Sequence, residues 1–132
     1  FLSMTENQIA KEIVDAAVKI HRSLGPGLLE SVYEIVLARE LERRGFKVNR
    51  RVKIPIEFEG LNFDEGFCAD MIVEGLVIVE LKSVEQLANV HHKQLFTYLK
   101  LSKKRLGLVL NFGSGLMKDG IKRIANGMPE YE

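Results

Sequence analysis

The 132-residue sequence contains a single cysteine, Cys68, and has no excess of charge of either sign. One cysteine excludes both a disulfide framework and a cysteine-based zinc site, and it favours a reducing compartment, so we expect a cytoplasmic protein. Nineteen basic and 18 acidic residues leave a net charge of +1, and any role with nucleic acid must therefore depend on local clusters. No apolar run approaches the roughly 18 residues of a membrane span, and no signal peptide opens the chain, so we expect no membrane partner.

Several motifs that identify enzymes are also absent. The sequence has no Walker A loop, no glycine-rich dinucleotide motif and no Gly-x-Ser-x-Gly nucleophile elbow. Its basic segments carry no interleaved aromatic residues on which bases could stack. The chemistry therefore has to be sought in individual charged residues.

The composition, 46% hydrophobic and 28% charged, is that of an ordinary globular protein. We expect residues 1–132 to form one domain, in which residues 1–3 could be an expression scar and residues 127–132 a frayed tail. Periodicity, a Thr5–Gln8 capping box and the Gly45 stop signal predict these elements: helices over 6–24, 28 or 29 to 44, and 84 or 87 to 102, and extended segments over 46–58, 61–73, 76–82 and 106–111.

This order, α-α-β-β-β-α-β, predicts an α/β fold with a mixed central sheet sandwiched by helices. The run 76–79 is apolar on both faces, which is typical of a central strand covered on both sides. Pro55 indicates an edge or a bend, Glu59-Gly60 a turn, and Gly66 a kink. No element is predicted after Gly113, because the tail shows no clear period.

Three charged residues interrupt apolar strands. Asp70 lies within the run 67–73, and Glu80 and Lys82 end the run 76–82. Burying a carboxylate without a partner is costly, so such groups are usually paired or bound to a metal. The hairpin register between the two strands decides whether the carboxylates can meet.

A two-residue loop would place Asp70 and Glu80 on opposite faces of the sheet. A three-residue loop over 73–75 would pair Ile72 with Leu76, give Gly75 the left-handed position and set Glu80 diagonally beside Asp70 on one face. Diagonal neighbours lie about 7–8 Å apart at the backbone, so both carboxylates could reach one ion. We predict this three-residue register.

Two carboxylates and Lys82 on one face suit phosphodiester hydrolysis. Carboxylates bind Mg²⁺, with Mn²⁺ as a substitute, and a lysine can orient or deprotonate the attacking water or stabilise the transition state. An isolated Glu-x-Lys is more often an ion pair at a strand end, but Asp70 at hairpin spacing weakens that alternative.

Two helices add further candidates. Glu30 shares a face of the second helix with Tyr33 and Leu37, although a first-turn glutamate is also favoured by the helix dipole. One face of the third helix is shared by Val90, Gln94, Tyr98 and Leu101. Gln94 and Tyr98 could reach over the sheet, although a half-buried helix edge would show the same spacing.

The basic residues fall into clusters that could neutralise phosphates, with a solvated surface as the alternative for each. The clusters are Arg43, Arg44, Lys47, Arg50, Arg51 and Lys53; then Lys100, Lys103, Lys104 and Arg105; and a looser group of Lys118, Lys122 and Arg123. As nucleic-acid contacts we select six of these residues: Arg43, Arg44, Arg50, Arg51, Lys103 and Lys104.

Residues 27–33, Gly-Leu-Leu-Glu-Ser-Val-Tyr, match the motif that names the GxxExxY protein family. Residues 25–27, 80–82, 111–112 and 118–121 also look like that family, and the resemblance runs from about residue 9 to residue 126. The family is similar to the PD-(D/E)XK nuclease superfamily. The resemblance implies a restriction-endonuclease-like core, with Asp70 as the motif aspartate and Glu80 and Lys82 as its Glu-x-Lys. Ala69 stands where the motif's name has proline.

The same resemblance implies further site residues. Glu30 corresponds to the glutamate that many members place on the first core helix. Gln94 and Tyr98 resemble the Gln-x-x-x-Tyr motif of RecB-like exonucleases. We expect metal binding by Asp70, Glu80, Glu30 and the Leu81 carbonyl, and catalysis by Lys82, Asp70, Glu80, Gln94 and Tyr98.

The sequence thus predicts a Mg²⁺-dependent nuclease, with DNA favoured over RNA as substrate. The first alternative is a non-catalytic nucleic-acid-binding or regulatory module that kept the fold. The second is an unrelated α/β enzyme acting on a small phosphorylated substrate. A chain of 132 residues has little room for a separate specificity domain, so a homodimer or a protein partner could supply it.

Overall fold

The computed structural model describes residues 4–128, which form three helices, five strands and one 3₁₀ turn. In chain order these are α1 (Glu6–Leu24), α2 (Glu30–Arg43), β1 (Val48–Phe58), β2 (Leu61–Val73), β3 (Val77–Lys82), α3 (Asn89–Ser102), β4 (Leu106–Asn111), the turn Met117–Gly120 and β5 (Ile121–Ala125). Within residues 4–128, no helix has the length and apolar character needed to span a bilayer. The predicted scar at 1–3 and most of the predicted frayed tail lie outside the described residues.

The five strands form one mixed sheet in the order β1-β2-β3-β4-β5. Strands β3 and β4 run parallel, and the other neighbouring pairs are antiparallel. Helices α1 and α2 pack on the sheet around Ile13, Leu37 and Val79, in what we call the α1/α2 core. Helix α3 packs around Leu95 and Ile78, in what we call the α3 core. The predicted α/β fold with a helix-covered central strand is therefore confirmed.

The loop between α1 and α2 is closed by the tyrosine of the family-naming motif. Gly25 and Gly27 adopt φ of 73° and 99°, a region in which side chains with a Cβ are strained. The Tyr33 hydroxyl donates to the Gly25 carbonyl at 2.6 Å and accepts from the Leu28 N–H at 3.1 Å. Tyr33 also stacks on Phe112, with ring centroids 4.4 Å apart. This clamp fixes where α2, and with it Glu30, begins.

The β1–β2 hairpin is irregular where the sequence predicts it. Glu59 and Gly60 form the turn, and the register shifts between Ile54 and Ile56, at Pro55. A Cβ on Gly66 would lie 2.0 Å from the Ile56 side chain, so any other residue there would force Ile56 to shift. β1 is an edge strand, where a proline without an N–H is tolerated.

The predicted register of the β2–β3 hairpin is wrong by two residues. Ile72 pairs with Ile78, so the three-residue loop is 74–76 and not 73–75. Glu74 and Gly75 both take positive φ, 55° and 67°, which turns the chain one residue later than we expected. A shift of two residues preserves the side-chain alternation, and Asp70 and Glu80 therefore still share a face.

Two further predictions are corrected by tertiary contacts. Helix α3 begins at Asn89, after both predicted starts, and the backbone of Val84, the earlier of the two, is held by Asn111. The tail after Gly113 contains the 3₁₀ turn and strand β5, where none was predicted. The burial pattern of β5 does not alternate, so its sequence lacks the period that marks a strand.

Candidate active site

The centre of the site is the end of the β2–β3 ladder, where Asp70 and Glu80 lie opposite each other. The Asp70 N–H donates to Glu80 Oε2 at 3.3 Å, and the Leu81 N–H donates to Asp70 Oδ2 at 2.9 Å. Each carboxylate thus accepts from the backbone of the neighbouring strand. The two side chains turn toward each other instead of toward solvent.

This proximity changes the acidity of the site. Burial, together with the neighbouring Asp70 carboxylate, raises the pKa of Glu80 from 4.5 to about 9, although Lys82 acts in the opposite direction. Partial burial and the negative charges of Glu80 and Asp70 also raise the pKa of Tyr98. Partial burial beside a second carboxylate thus favours the protonated form of Glu80.

A pocket of about 200 Å³ opens over this pair. Its lining includes all five residues predicted to be catalytic together with Glu30: Asp70, Glu80, Lys82, Gln94, Tyr98 and Glu30. The Tyr98 ring stacks on Phe67 with centroids 3.8 Å apart, which holds it at the pocket wall. The structure therefore brings β2, β3, α2 and α3 together at one place, while the catalytic roles of these residues stay predictions.

The buried face of helix α3 is not the face that carries Gln94 and Tyr98. Its buried residues are Leu95 and Leu99, whereas Val90 and Leu101, predicted on the face of Gln94 and Tyr98, are 61% and 43% exposed. Gln94 and Tyr98 lie at the margin of the buried stripe, so their side chains border the pocket while the helix remains anchored in the α3 core.

Glu30 does not complete the expected group of three carboxylates. Within residues 4–128, no three His, Cys, Asp or Glu side chains lie in a group that could hold one metal ion. The Glu30 carboxylate instead accepts from the Ser83 N–H at 3.1 Å, and the Ser83 hydroxyl donates to the Leu28 carbonyl at 2.7 Å. Glu30 thereby fixes the chain directly after Lys82. It also lines two neighbouring clefts of about 630 and 400 Å³.

A second acidic residue of α2, which the sequence analysis missed, lies beside the site. Glu34 is 6% exposed and accepts from Arg50 at 2.7 Å. Arg51 Nη1 lies 3.1 Å from Asp70 Oδ1 and 3.8 Å from Glu34 Oε1. The i, i+4 spacing from Glu30 was the available signal, because it places Glu34 on the same side of the helix.

The six basic residues predicted to contact nucleic acid do not form one free surface. Arg44 bonds Glu40, Glu12 and Asp15 and so joins α2 to α1. Arg44 and Lys19 together lower the pKa of Glu40. The Lys104 ammonium donates to the Gly75 carbonyl at 2.8 Å. Of the others, Arg50 and Arg51 flank the site in the contacts given above, and Arg43 and Lys103 are exposed.

Asn111, which the sequence analysis named only within the family resemblance, makes contacts that were not predicted. It is 1% exposed, its Oδ1 accepts from the N–H groups of Val84 and Gly113, and its Nδ2 donates to the Val84 carbonyl and the Ser114 hydroxyl. The Phe112 N–H donates to the Lys82 carbonyl at 2.8 Å. The end of β4 therefore holds the segment that follows Lys82.

A mixed sheet between helices, with an acidic pair and a lysine gathered at the end of two central strands, defines an α/β protein with a polar pocket suited to a hard divalent cation. Asp70 and Glu80 supply the carboxylate oxygens that such a cation prefers as ligands. The sequence model of the PD-(D/E)XK nuclease superfamily matches residues 7–124, and the chain belongs to this superfamily. No curated protein and no solved structure matches the chain significantly.

Proposed function

We propose that this protein is a Mg²⁺-dependent nuclease that hydrolyses phosphodiester bonds, with DNA favoured over RNA. The observation that supports the proposal is the pairing of Asp70 with Glu80 in one pocket with Lys82. Membership of the superfamily supports a nuclease-type function, and the pocket supports these residues as its site.

Asp70 and Glu80 would hold the metal ion, with the Leu81 carbonyl as a further proposed ligand, whereas Glu30 is engaged by the Ser83 N–H. When bound, a divalent cation supplies the positive charge that acidifies a water molecule and offsets charge developing on the phosphate. Glu80 must lose its proton to serve as a ligand, and its raised pKa means that proton release accompanies binding.

Lys82 is the proposed catalytic side chain. It lines the same pocket as the acidic pair, and its backbone is held by Phe112. From this position its ammonium would orient the attacking water and stabilise negative charge on the phosphate. Gln94 and Tyr98, which line the pocket from helix α3, would position the scissile strand.

One observation favours the alternative, a non-catalytic module that binds nucleic acid or regulates another protein. Asp70 Oδ1 already contacts Arg51, and Glu30 already accepts from Ser83, so these carboxylates have partners without a metal ion. A fold that has lost its metal would show such contacts. The two proposals differ in whether a metal ion binds at Asp70.

Calorimetry with Mn²⁺ on the wild type, on Asp70→Ala and on the matched control Asp64→Ala tests this difference. Asp64 is an exposed aspartate on the same strand, so its removal changes the net charge equally. We expect Mn²⁺ binding to be lost in Asp70→Ala and retained in Asp64→Ala. Equal binding by all three proteins would contradict the metal site.

A cleavage assay then separates the nuclease from the module. Single- and double-stranded DNA and RNA are incubated with the wild type in Mg²⁺ and in Mn²⁺, and with Asp70→Ala as control. We expect metal-dependent cleavage by the wild type alone. Mn²⁺ binding at Asp70 without cleavage of any of these substrates would favour the non-catalytic module.

A further inference from the structure

Arg51 occupies an unusual backbone position directly across from Asp70. The β1–β2 ladder keeps one register on both sides of these two residues, but Arg51 and Asp70 themselves are left out of it. Arg51 has φ of 54°, in the left-handed region that a non-glycine residue in a strand rarely adopts. Such strain persists only where the surrounding structure enforces it, and it is concentrated at functional sites.

Strand β2 of this hairpin changes from one hydrophobic core to the other at this point. Met71 packs in the α1/α2 core, whereas Ala69, two residues away on the same strand, packs in the α3 core. The side-chain alternation of β2 is therefore interrupted where Arg51 and Asp70 face each other. At this interruption the Arg51 side chain reaches Asp70, with the guanidinium at 3.1 Å from Oδ1.

The contacts of Asp70 leave little room for a metal ion in addition to the Arg51 guanidinium. Its Oδ2 accepts from the Leu81 N–H, and its Oδ1 accepts from Arg51. The Arg51 side chain is nevertheless 63% exposed, and its secondary contact with Glu34 is long, at 3.8 Å. Arg51 is thus held at the site through a contact that solvent, or a competing anion, can reach.

We propose that the Arg51 guanidinium leaves Asp70 and binds a phosphate of the nucleic acid when the substrate binds. Asp70 is then free for the metal ion, so that metal and substrate bind cooperatively. The inference rests on the proposed function. In the free protein the guanidinium competes with a divalent cation for Asp70 and repels it. A substrate phosphate accepts the same donors in bidentate geometry and so frees the carboxylate. Because linkage is reciprocal, metal then strengthens nucleic acid binding by the same factor.

Calorimetry with Mn²⁺ tests the exchange in a Lys82→Ala background, in which we expect cleavage of a short oligodeoxynucleotide to be slowed. Arg51→Gln removes the charge, and Lys53→Gln is the matched control, because Lys53 lies on the same strand, is 70% exposed and pairs with Glu65 instead of Asp70. Without oligonucleotide, we expect Arg51→Gln to bind Mn²⁺ about fivefold tighter than its parent. Lys53→Gln should bind it as the parent does.

With saturating oligonucleotide, the Mn²⁺ affinity of the parent should rise, and that of Arg51→Gln should rise less. Arg51→Asn, whose side chain tolerates the left-handed conformation, is the second variant if the glutamine variant unfolds. Unchanged or weaker Mn²⁺ binding in a folded Arg51 variant overturns the exchange, as does an equal gain in Lys53→Gln. If Mn²⁺ binding does not depend on Asp70 at all, the proposed function fails instead.

Discussion

Asp70 and Glu80 close the end of the β2–β3 ladder reciprocally, each carboxylate accepting a backbone N–H from the other strand, at 2.9 and 3.3 Å. Side chains here replace the backbone carbonyls that would continue a regular ladder. The strand ends are therefore stabilised by groups that can also bind a cation. Both the stability of the fold and the proposed binding of a metal ion depend on this pair. The stability of the fold should therefore depend on pH.

The metal-free protein should lose stability as the pH rises from 4.5 toward about 9. The raised pKa of Glu80 means that the folded protein holds a proton in this range that the unfolded chain releases. The free energy of unfolding therefore falls with pH across this window. Glu80→Gln keeps the shape and cannot ionise, so its melting temperature, measured in chelator, should exceed that of the wild type increasingly with pH.

Added Mn²⁺ is the control for this prediction. It should raise the melting temperature of the wild type at alkaline pH and leave Glu80→Gln nearly unchanged, because only the carboxylate binds the metal strongly. A difference in melting temperature between the two proteins that stays constant from acidic to alkaline pH would show that Glu80 does not titrate in this range.

Lys82→Ala should lower the rate of cleavage by about 10²-fold or more, in line with the contribution of a positioned acid–base group. Binding of Mn²⁺ should persist, because the acidic pair is intact. Lys53→Ala, an exposed lysine of β1, is the matched control and should cleave as the wild type does. Cleavage by Lys82→Ala at the wild-type rate would remove lysine from the mechanism.

Gly113→Ala should disturb the segment that follows Lys82. A Cβ there would lie 2.2 Å from the Val84 carbonyl oxygen, which is backbone and cannot move aside without breaking its bonds to Asn111. We expect a loss of about 2 kcal/mol in the free energy of unfolding, measured by urea titration, together with reduced cleavage.

Gly115→Ala provides the comparison for Gly113. Nothing lies within 4 Å of the added carbon at Gly115, so the substitution should be neutral or slightly stabilising. If both alanine variants proved equally stable, the close packing of Gly113 against Val84 would not constrain the fold.

Glu59→Asn should stabilise the β1–β2 hairpin. Glu59 and Gly60 take φ of 48° and 81°, as a two-residue type I′ turn requires, and asparagine adopts this conformation more readily than glutamate. We expect a gain of about 0.5 kcal/mol in the free energy of unfolding. Glu57→Asn, in the strand before the turn, should give no gain, and an equal gain there would point to charge as the cause.

The regular elements could be predicted because their signals are local. The capping box at Thr5, the helix stop at Gly45 and the apolar run of β3 act through neighbours a few residues away. Strand β5 was missed for the opposite reason. It is defined by pairing with β4, and its own residues carry no alternation.

For the candidate site, the sequence predicted which side chains lie on the same face of the sheet. Asp70 and Glu80 share a face in any register that shifts by two residues, so the conclusion survived an incorrect loop. The partners of these carboxylates were not predictable. Arg51 reaches Asp70 from the neighbouring strand, and Glu30 reaches Ser83 from a separate helix.

The sequence by itself determined the class of fold, the order of its main elements and the residues that carry charge into an apolar sheet, because periodicity and the cost of burying charge are properties of short segments. Only the tertiary structure decided that Glu30 fixes the chain after Lys82, that Glu34 and Arg51 flank Asp70, and that Asn111 anchors the loop. Those contacts join residues far apart in the chain, and no local pattern encodes which distant group will meet a given side chain.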